Sequence, residues 1–205
     1  MNINEKKYNN ISDAVAFVIR FAFMIYSYDD IAPNEYYTEM CTTCRRSEQS
    51  KNFLAPKSNC KKDYGVLDIM EFGVSEQIRG ELIENFDITK EDFREVCNKK
   101  GDVVYWQITP QYTMQPISSV NRVRQLKPCR KCGYIQHRMK EYENEKGENY
   151  YYITKEVLSE MHDINRTFET FDCFIPKYMV SRRVYDYLID RYPRMKFEPM
   201  FLKEV

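Results

Sequence analysis

The chain has 205 residues and a mass of 24.8 kDa, enough for one domain of ordinary size, with two halves of about 1–110 and 111–205 as a finer division. Its 31 basic and 31 acidic residues cancel, so no whole-protein field draws it onto nucleic acid or an anionic membrane, and either would have to be met by a local patch. Apolar residues make up 43 % and aromatics 15 %, which excludes a disordered chain, and order is expected to fail only near the termini and around residues 141–149.

In chain order, residues 14–27 form an apolar run that Arg20 interrupts, too short to span a bilayer and followed by no small-residue cleavage site. A soluble chain that is not exported is expected. Residues 17–28 read as a strand with Phe17, Ile19, Phe21, Phe23 and Ile25 on one face and Arg20 on the other, and a helix capped by Ser12 is the competing reading. Residues 29–63 are rich in turn formers and read as loop plus a metal knuckle at Cys41 and Cys44. A strand is expected over 65–72, and then a helix capped by Ser75 with Ile78, Leu82, Ile83 and Phe86 on one side. Residues 93–96 close that unit, 103–108 alternate as a further strand, and Pro110 and Pro116 break up the segment after it. A second knuckle, Cys129 to Cys132, lies between Pro128 and Gly133, and a helix is expected from Thr154 to just before Met161-His162-Asp163.

Val74-Ser75-x-x-Ile78-x-x-x-Leu82-Ile83-Glu84-x-Phe86 matches Val180-Ser181-x-x-Val184-x-x-x-Leu188-Ile189-Asp190-x-Tyr192 without a gap, and each copy follows a CxxC. Any two Ser-capped amphipathic helices align this way, so duplication and chance stand as alternatives. With 196–200 as the last strand, the fold class is α+β: two pseudo-repeated strand–helix–strand halves joined by a four-cysteine, zinc-ribbon-like site.

Seven cysteines, an odd number, argue against a fully paired disulfide framework and for thiolates in a reducing compartment, hence the cytoplasm. A tetrahedral zinc takes four soft or borderline ligands, and a CxxC turn reaches one ion with both sulfurs. Cys41, Cys44, Cys129 and Cys132 are therefore the expected ligands of one structural zinc; redox pairs, a two-cysteine site completed elsewhere, and plain thiols are the alternatives. The segment between the pairs far exceeds the roughly 15–20 residues of a compact ribbon, and would be a folded insertion, since loop-closure entropy grows only logarithmically with length. Gly133 is placed to take positive φ beneath the thiolates, whereas Arg45 holds the matching place in the first pair. Cys60, Cys97 and Cys173 have no such partner and read as small apolar residues. Cys129-x-x-Cys132-x-x-x-x-His137 opens like a retroviral knuckle but meets Tyr142 at the fourth ligand position, which leaves His137 at the surface or behind the ligands.

No acidic residue occurs between Asp102 and Glu141, while Arg122, Arg124, Lys127, Arg130, Lys131, Arg138 and Lys140 gather around the second knuckle. They are candidates for a nucleic-acid or partner contact, although cations commonly surround a four-thiolate centre for its charge alone. Enzyme chemistry has little to work with. His137 and His162 are the only imidazoles and lie in no catalytic motif, no phosphate loop or dinucleotide fingerprint is present, and a four-thiolate zinc leaves no position for water.

Cys41-Thr-Thr-Cys44, the Pro128-Cys129-Arg-Lys-Cys132-Gly133 turn and the ending from Met179-Val180-Ser181 through Phe197-Glu198-Pro199 together resemble the double-CxxCG proteins of bacterial toxin-immunity families. That resemblance implies a zinc-containing α+β immunity protein that neutralises a cognate toxin by binding it, without catalysis. An inhibitor of a bacterial defence enzyme encoded by a phage or mobile element has the same chemistry. The alternative from another class is a zinc-ribbon nucleic-acid-binding or regulatory protein that uses the basic stripe.

Overall fold

A computed structural model describes residues 2–20, 37–39, 41–43, 47–49, 53–55, 62–68, 71–98, 100–170 and 176–204. The chain enters through helix α1 (Ile3–Lys7), which the Asn2 side chain caps by accepting the N–H groups of Asn4 and Glu5 while the Glu5 carboxylate accepts that of Asn2. Asn4, fully buried, donates to the Met195 carbonyl and accepts the Phe197 N–H, each at 3.0 Å. These bonds order the N-terminal segment, where the composition led us to expect disorder.

Strand β1 (Ala16–Arg20) realises the extended reading over the helical one, with Phe17 and Ile19 on one core and Arg20 away from it; residues 21–28 of the expected strand lie outside the described residues. The expectation of loop for residues 29–63 is corrected by three short strands, β2 (Tyr37–Glu39), β3 (Ser47–Gln49) and β4 (Phe53–Ala55). A single strand over 65–72 is corrected too. The chain reverses between β5 (Tyr64–Asp68) and β6 (Glu71–Val74), which brings Tyr64, Phe72 and Val74 into one core.

Helix α2 (Glu76–Asn85) starts where Ser75 accepts the Ile78 N–H, and it is followed by β7 (Phe93–Asn98) and β8 (Val103–Ile108). After the proline-broken connection come β9 (Arg122–Gln125), β10 (His137–Lys140), β11 (Tyr142–Glu143) and β12 (Asn149–Ile153). Residues 141–149 thus form a hairpin and not the disordered stretch their charge led us to expect. The Asn144 carbonyl side chain accepts the N–H groups of Lys146 and Glu148 at 2.9 and 3.0 Å, and Gly147 takes φ of 71°. Helix α3 (Lys155–Ser159), capped by Thr154, leads to β13 (Ile164–Thr170), β14 (Pro176–Ser181), the Ser181-capped α4 (Arg182–Arg191) and β15 (Lys196–Leu202).

The strands make a mixed α+β fold that is mostly sheet. The larger sheet has the order β11-β12-β15-β1-β14-β13-β10-β9, the smaller one β4-β7-β8-β6-β5, and β2 pairs with β3. Five strands of the larger sheet, β12-β15-β1-β14-β13, repeat the order and pairing sense of the smaller sheet: a parallel outer pair, then three antiparallel pairs. In the smaller sheet β8 follows β7 along the chain, whereas its counterpart in the larger sheet is the N-terminal β1.

One core, drawn from both sheets, contains Ile78 and Leu82 of α2 with Val184 and Leu188 of α4, together with Phe17, Val74, Val180 and Phe197. A second core, on the other face of the larger sheet, gathers Val18, Met139, Tyr151, Met179 and Met200. The Asp163 carboxylate accepts from the Asp87 N–H at 2.8 Å, the Ser181 hydroxyl at 2.6 Å, Arg183 Nε at 2.7 Å and Arg183 Nη2. Burial acts to raise the pKa of Asp163, but the bonds from Arg183, Ser181 and Asp87 outweigh it and hold the carboxyl below the usual aspartate range. A folded-state value below the unfolded one, about 3.9, contributes stability that is present above that pH and lost as pH falls through the folded value. We expect Asp163→Asn to cost about 1–3 kcal/mol at neutral pH and to flatten the loss of stability below pH about 4; denaturant titrations at pH 7 and pH 3 check both. Among the described residues, no helix is long and apolar enough to cross a membrane.

Candidate metal centre

Each CxxC belongs to an antiparallel strand pair. Cys41 lies in the connection between β2 and β3, and Cys129 and Cys132 lie in the connection between β9 and β10. The second knuckle is closed by short backbone bonds: the Cys129 N–H donates to the Tyr134 carbonyl at 2.9 Å and the Gly133 N–H to the Cys129 carbonyl at 2.8 Å. Gly133 has φ of 72°, the left-handed conformation its place after the second cysteine led us to expect.

The two knuckles meet. Cys41 Sγ stands 3.8 Å from Cys129 Sγ, and the sulfurs of Cys41, Cys129 and Cys132 all lie within 4.8 Å of one another. That separation is far beyond the roughly 2.05 Å of a disulfide, and none of the three is in one. Three cysteines so placed can hold a metal ion, and they form the single such group among the described residues. Cys41 is buried and Cys132 exposed, so the site opens at the second knuckle. Backbone N–H groups of Cys132 and Lys131 point at the Cys129 sulfur and lower its pKa, favouring the thiolate a metal requires. Across the same junction, Lys131 Nζ donates to Thr42 Oγ1 at 2.8 Å.

Cys44, the remaining expected ligand, lies outside the described residues, as do Arg45, Cys60 and Cys173. Cys97 sits half-buried in β7, where burial, then Glu95 and Asp102, push its thiol pKa up, the opposite of a metal ligand. His137 is at the start of β10 with its ring centroid 5.5 Å from that of Phe168. His162 stands beyond α3, its Nδ1 3.3 Å from Asp87 Oδ2 and its ring centroid 4.4 Å from that of Tyr112. Neither imidazole belongs to the sulfur cluster.

The basic residues divide into two sets. Lys127, Arg130 and Lys131 are exposed around the second knuckle itself. Arg122 and Arg124 are exposed on β9, paired directly across from Lys140 and Arg138 of β10.

A polar cluster that sequence reasoning did not find lies under the larger sheet. Glu198, almost fully buried, accepts from the Tyr151 hydroxyl at 2.8 Å and pairs with Lys177 at 2.9 Å and Arg20 at 3.3 Å. Arg20 also reaches Glu148, which in turn holds Lys7. Burial first, then the neighbouring Glu198 and Glu141 carboxylates, keep the Tyr151 hydroxyl protonated. The available signal was Arg20 interrupting an apolar run, a half-buried cation in need of an acid.

No protein-family model matches the chain, and no curated protein matches it either.

Proposed function

We propose that the chain is a non-catalytic zinc protein, one domain of two pseudo-equivalent halves, that neutralises a toxin or effector protein by binding it. The observation that carries the zinc reading is the 3.8 Å between Cys41 Sγ and Cys129 Sγ. Two thiolates at about 2.3 Å from one tetrahedral zinc stand about 3.8 Å apart. Cys132 supplies a third sulfur, and Cys44, the partner of Cys41 in its CxxC, is the fourth candidate. Zinc held by four thiolates supplies a cross-link between knuckles that lie 88 residues apart in the chain and leaves no position for activated water.

Several correspondences support the halves. The N–H of each capping serine donates to an aspartate carbonyl, Ser75 to Asp63 and Ser181 to Asp163. Tyr64 pairs with Val74 as Ile164 pairs with Val180, and Val74 pairs with Trp106 as Val180 pairs with Phe17. Cys41 follows Phe17 by 24 residues and Cys129 follows Trp106 by 23. On this reading the boundary between the halves falls before β8 and not near residue 110, and each half begins with a strand that it lends to the sheet of the other, β1 to the larger and β8 to the smaller. Neither half then closes its core alone, which makes 1–205 one domain.

A binding role agrees with the placement of the two histidines, apart from each other and from the sulfurs, with no base–nucleophile pair between them. The test is co-expression with the product of the neighbouring gene, comparing wild type with the His137→Ala/His162→Ala double variant. Both are expected to inhibit stoichiometrically without consuming any substrate. Loss of inhibition in a double variant that remains folded and zinc-loaded would overturn the non-catalytic reading.

A further inference from the structure

The β9–β10 ladder places cations directly opposite one another, Arg124 across from Arg138 and Arg122 across from Lys140. On one face of an antiparallel pair, directly opposed side chains are nearest neighbours, and like charges there destabilise the sheet. The alternate residues, Val123 and Met139, turn to the second core, so the four cations share the other face. Protection of an edge strand explains cations on β9, the last strand of its sheet, but not Arg138 of β10, which pairs with Arg124 of β9 on one side and Thr170 of β13 on the other. Nor does the thiolate cluster explain them all. The Arg122–Lys140 pair lies three residues, about 10 Å, farther from the second knuckle than the Gln125–His137 pair, beyond the roughly 8 Å over which exposed charges act at physiological salt. Arg122 additionally lies 4.9 Å over the ring of Tyr142, which holds its guanidinium in place.

We propose that this face, Arg122, Arg124, Arg138 and Lys140 with the Tyr142 ring, is the docking surface for an acidic patch on a partner protein. The inference rests on the protein-binding reading above and names its contact. A carboxylate surface fits better than a polyphosphate because the cationic field is bounded. Lys140 runs directly into Glu141, and Glu143 and Glu145 are exposed in the adjoining hairpin, across the path of any continuous phosphodiester chain. A discrete acidic patch meets the four cations and stops short of those carboxylates, and opposed potentials of this kind also speed encounter.

The test uses the full-length, metal-loaded protein with two labelled probes, a poly-glutamate peptide and a thymidine oligonucleotide, between about 50 and 200 mM salt. Wild type is expected to bind the peptide more tightly than the oligonucleotide, and Arg122→Glu/Lys140→Glu to weaken peptide binding by about tenfold or more. The neutral Arg122→Gln/Lys140→Gln pair should give an intermediate loss, which guards against misfolding of the reversed variant. Lys127→Glu/Lys131→Glu, at the knuckle, should change binding less. Equal peptide binding by wild type and both β9–β10 variants would overturn the proposal, as would tighter binding of the oligonucleotide with a steep salt dependence. Metal content and inhibition by the same variants separate this result from the wider reading: a protein that binds the peptide but inhibits nothing retains the surface and loses the function.

Discussion

Cys129→Ser is expected to yield protein without bound metal and without a cooperative unfolding transition. Structural zinc sites contribute about 10–16 kcal/mol of apparent binding free energy, as much as the whole 5–15 kcal/mol or so by which a typical domain is stable. Here the metal would join two knuckles on separate strand pairs, with Cys41 and Cys129 sulfurs 3.8 Å apart and Lys131 bonded to Thr42 across that junction. Removing one sulfur also leaves thiolates crowded together without the cation that offsets their charge. Elemental analysis and thermal unfolding of wild type, Cys129→Ser and Cys97→Ser settle the matter. About one zinc per chain is expected in wild type and in Cys97→Ser, because Cys97 lies apart in β7 and its thiol is raised and not activated. Wild type purified without chelator and free of metal would refute the site.

Phe17→Ala should destabilise the protein by about 3–5 kcal/mol, the range for a large aromatic removed from a packed core. Phe17 is fully buried on β1, stacks on Tyr185 of α4 with ring centroids 3.6 Å apart and meets Phe197 of β15 edge-on at 6.3 Å. Its loss would strip the middle strand of the larger sheet of its main anchor. The residue is also informative about the halves. The single tryptophan, Trp106, is on β8 in the smaller sheet, so its fluorescence reports that sheet while far-ultraviolet dichroism reports the whole. If the halves are interlocked by exchanged strands, both signals should fall together by roughly 6–20 °C in Phe17→Ala. A tryptophan transition unmoved while the dichroism shifts would show that the sheets unfold independently.

Much of the local structure was legible because its causes are local. A serine three residues before a buried aliphatic fixed the starts of α2 and α4, through a hydroxyl that accepts the N–H of Ile78 or Val184. The 3.6-residue period placed Ile78, Leu82, Val184 and Leu188 on inner faces, and alternation marked β8. The CxxC spacing picked out Cys41, Cys129 and Cys132, whose sulfurs come together, and Gly133 the turn of the second knuckle. Other elements were misread where a local pattern had two solutions. Residues 65–72 read as one strand, and only the shared core of Tyr64, Phe72 and Val74 decides for a hairpin. The charged segment 141–149 offered little to bury, yet its ends are held by β12 and by the Asn144 turn.

Taken alone, then, the sequence determined which residues cap, which face inward and that Cys129 and Cys132 share one turn, since each depends on neighbours within about four positions. Only the tertiary structure decided that β1 lies between β14 and β15 while β8 takes the equivalent place between β6 and β7, that Arg20 and Lys177 meet at Glu198, and that the cations of β9 and β10 stand opposite one another. A strand's own pattern says which face it buries but not which strand it joins. That choice is made by the non-local burial of both faces of each sheet at once, and by the need to give every buried charge a partner.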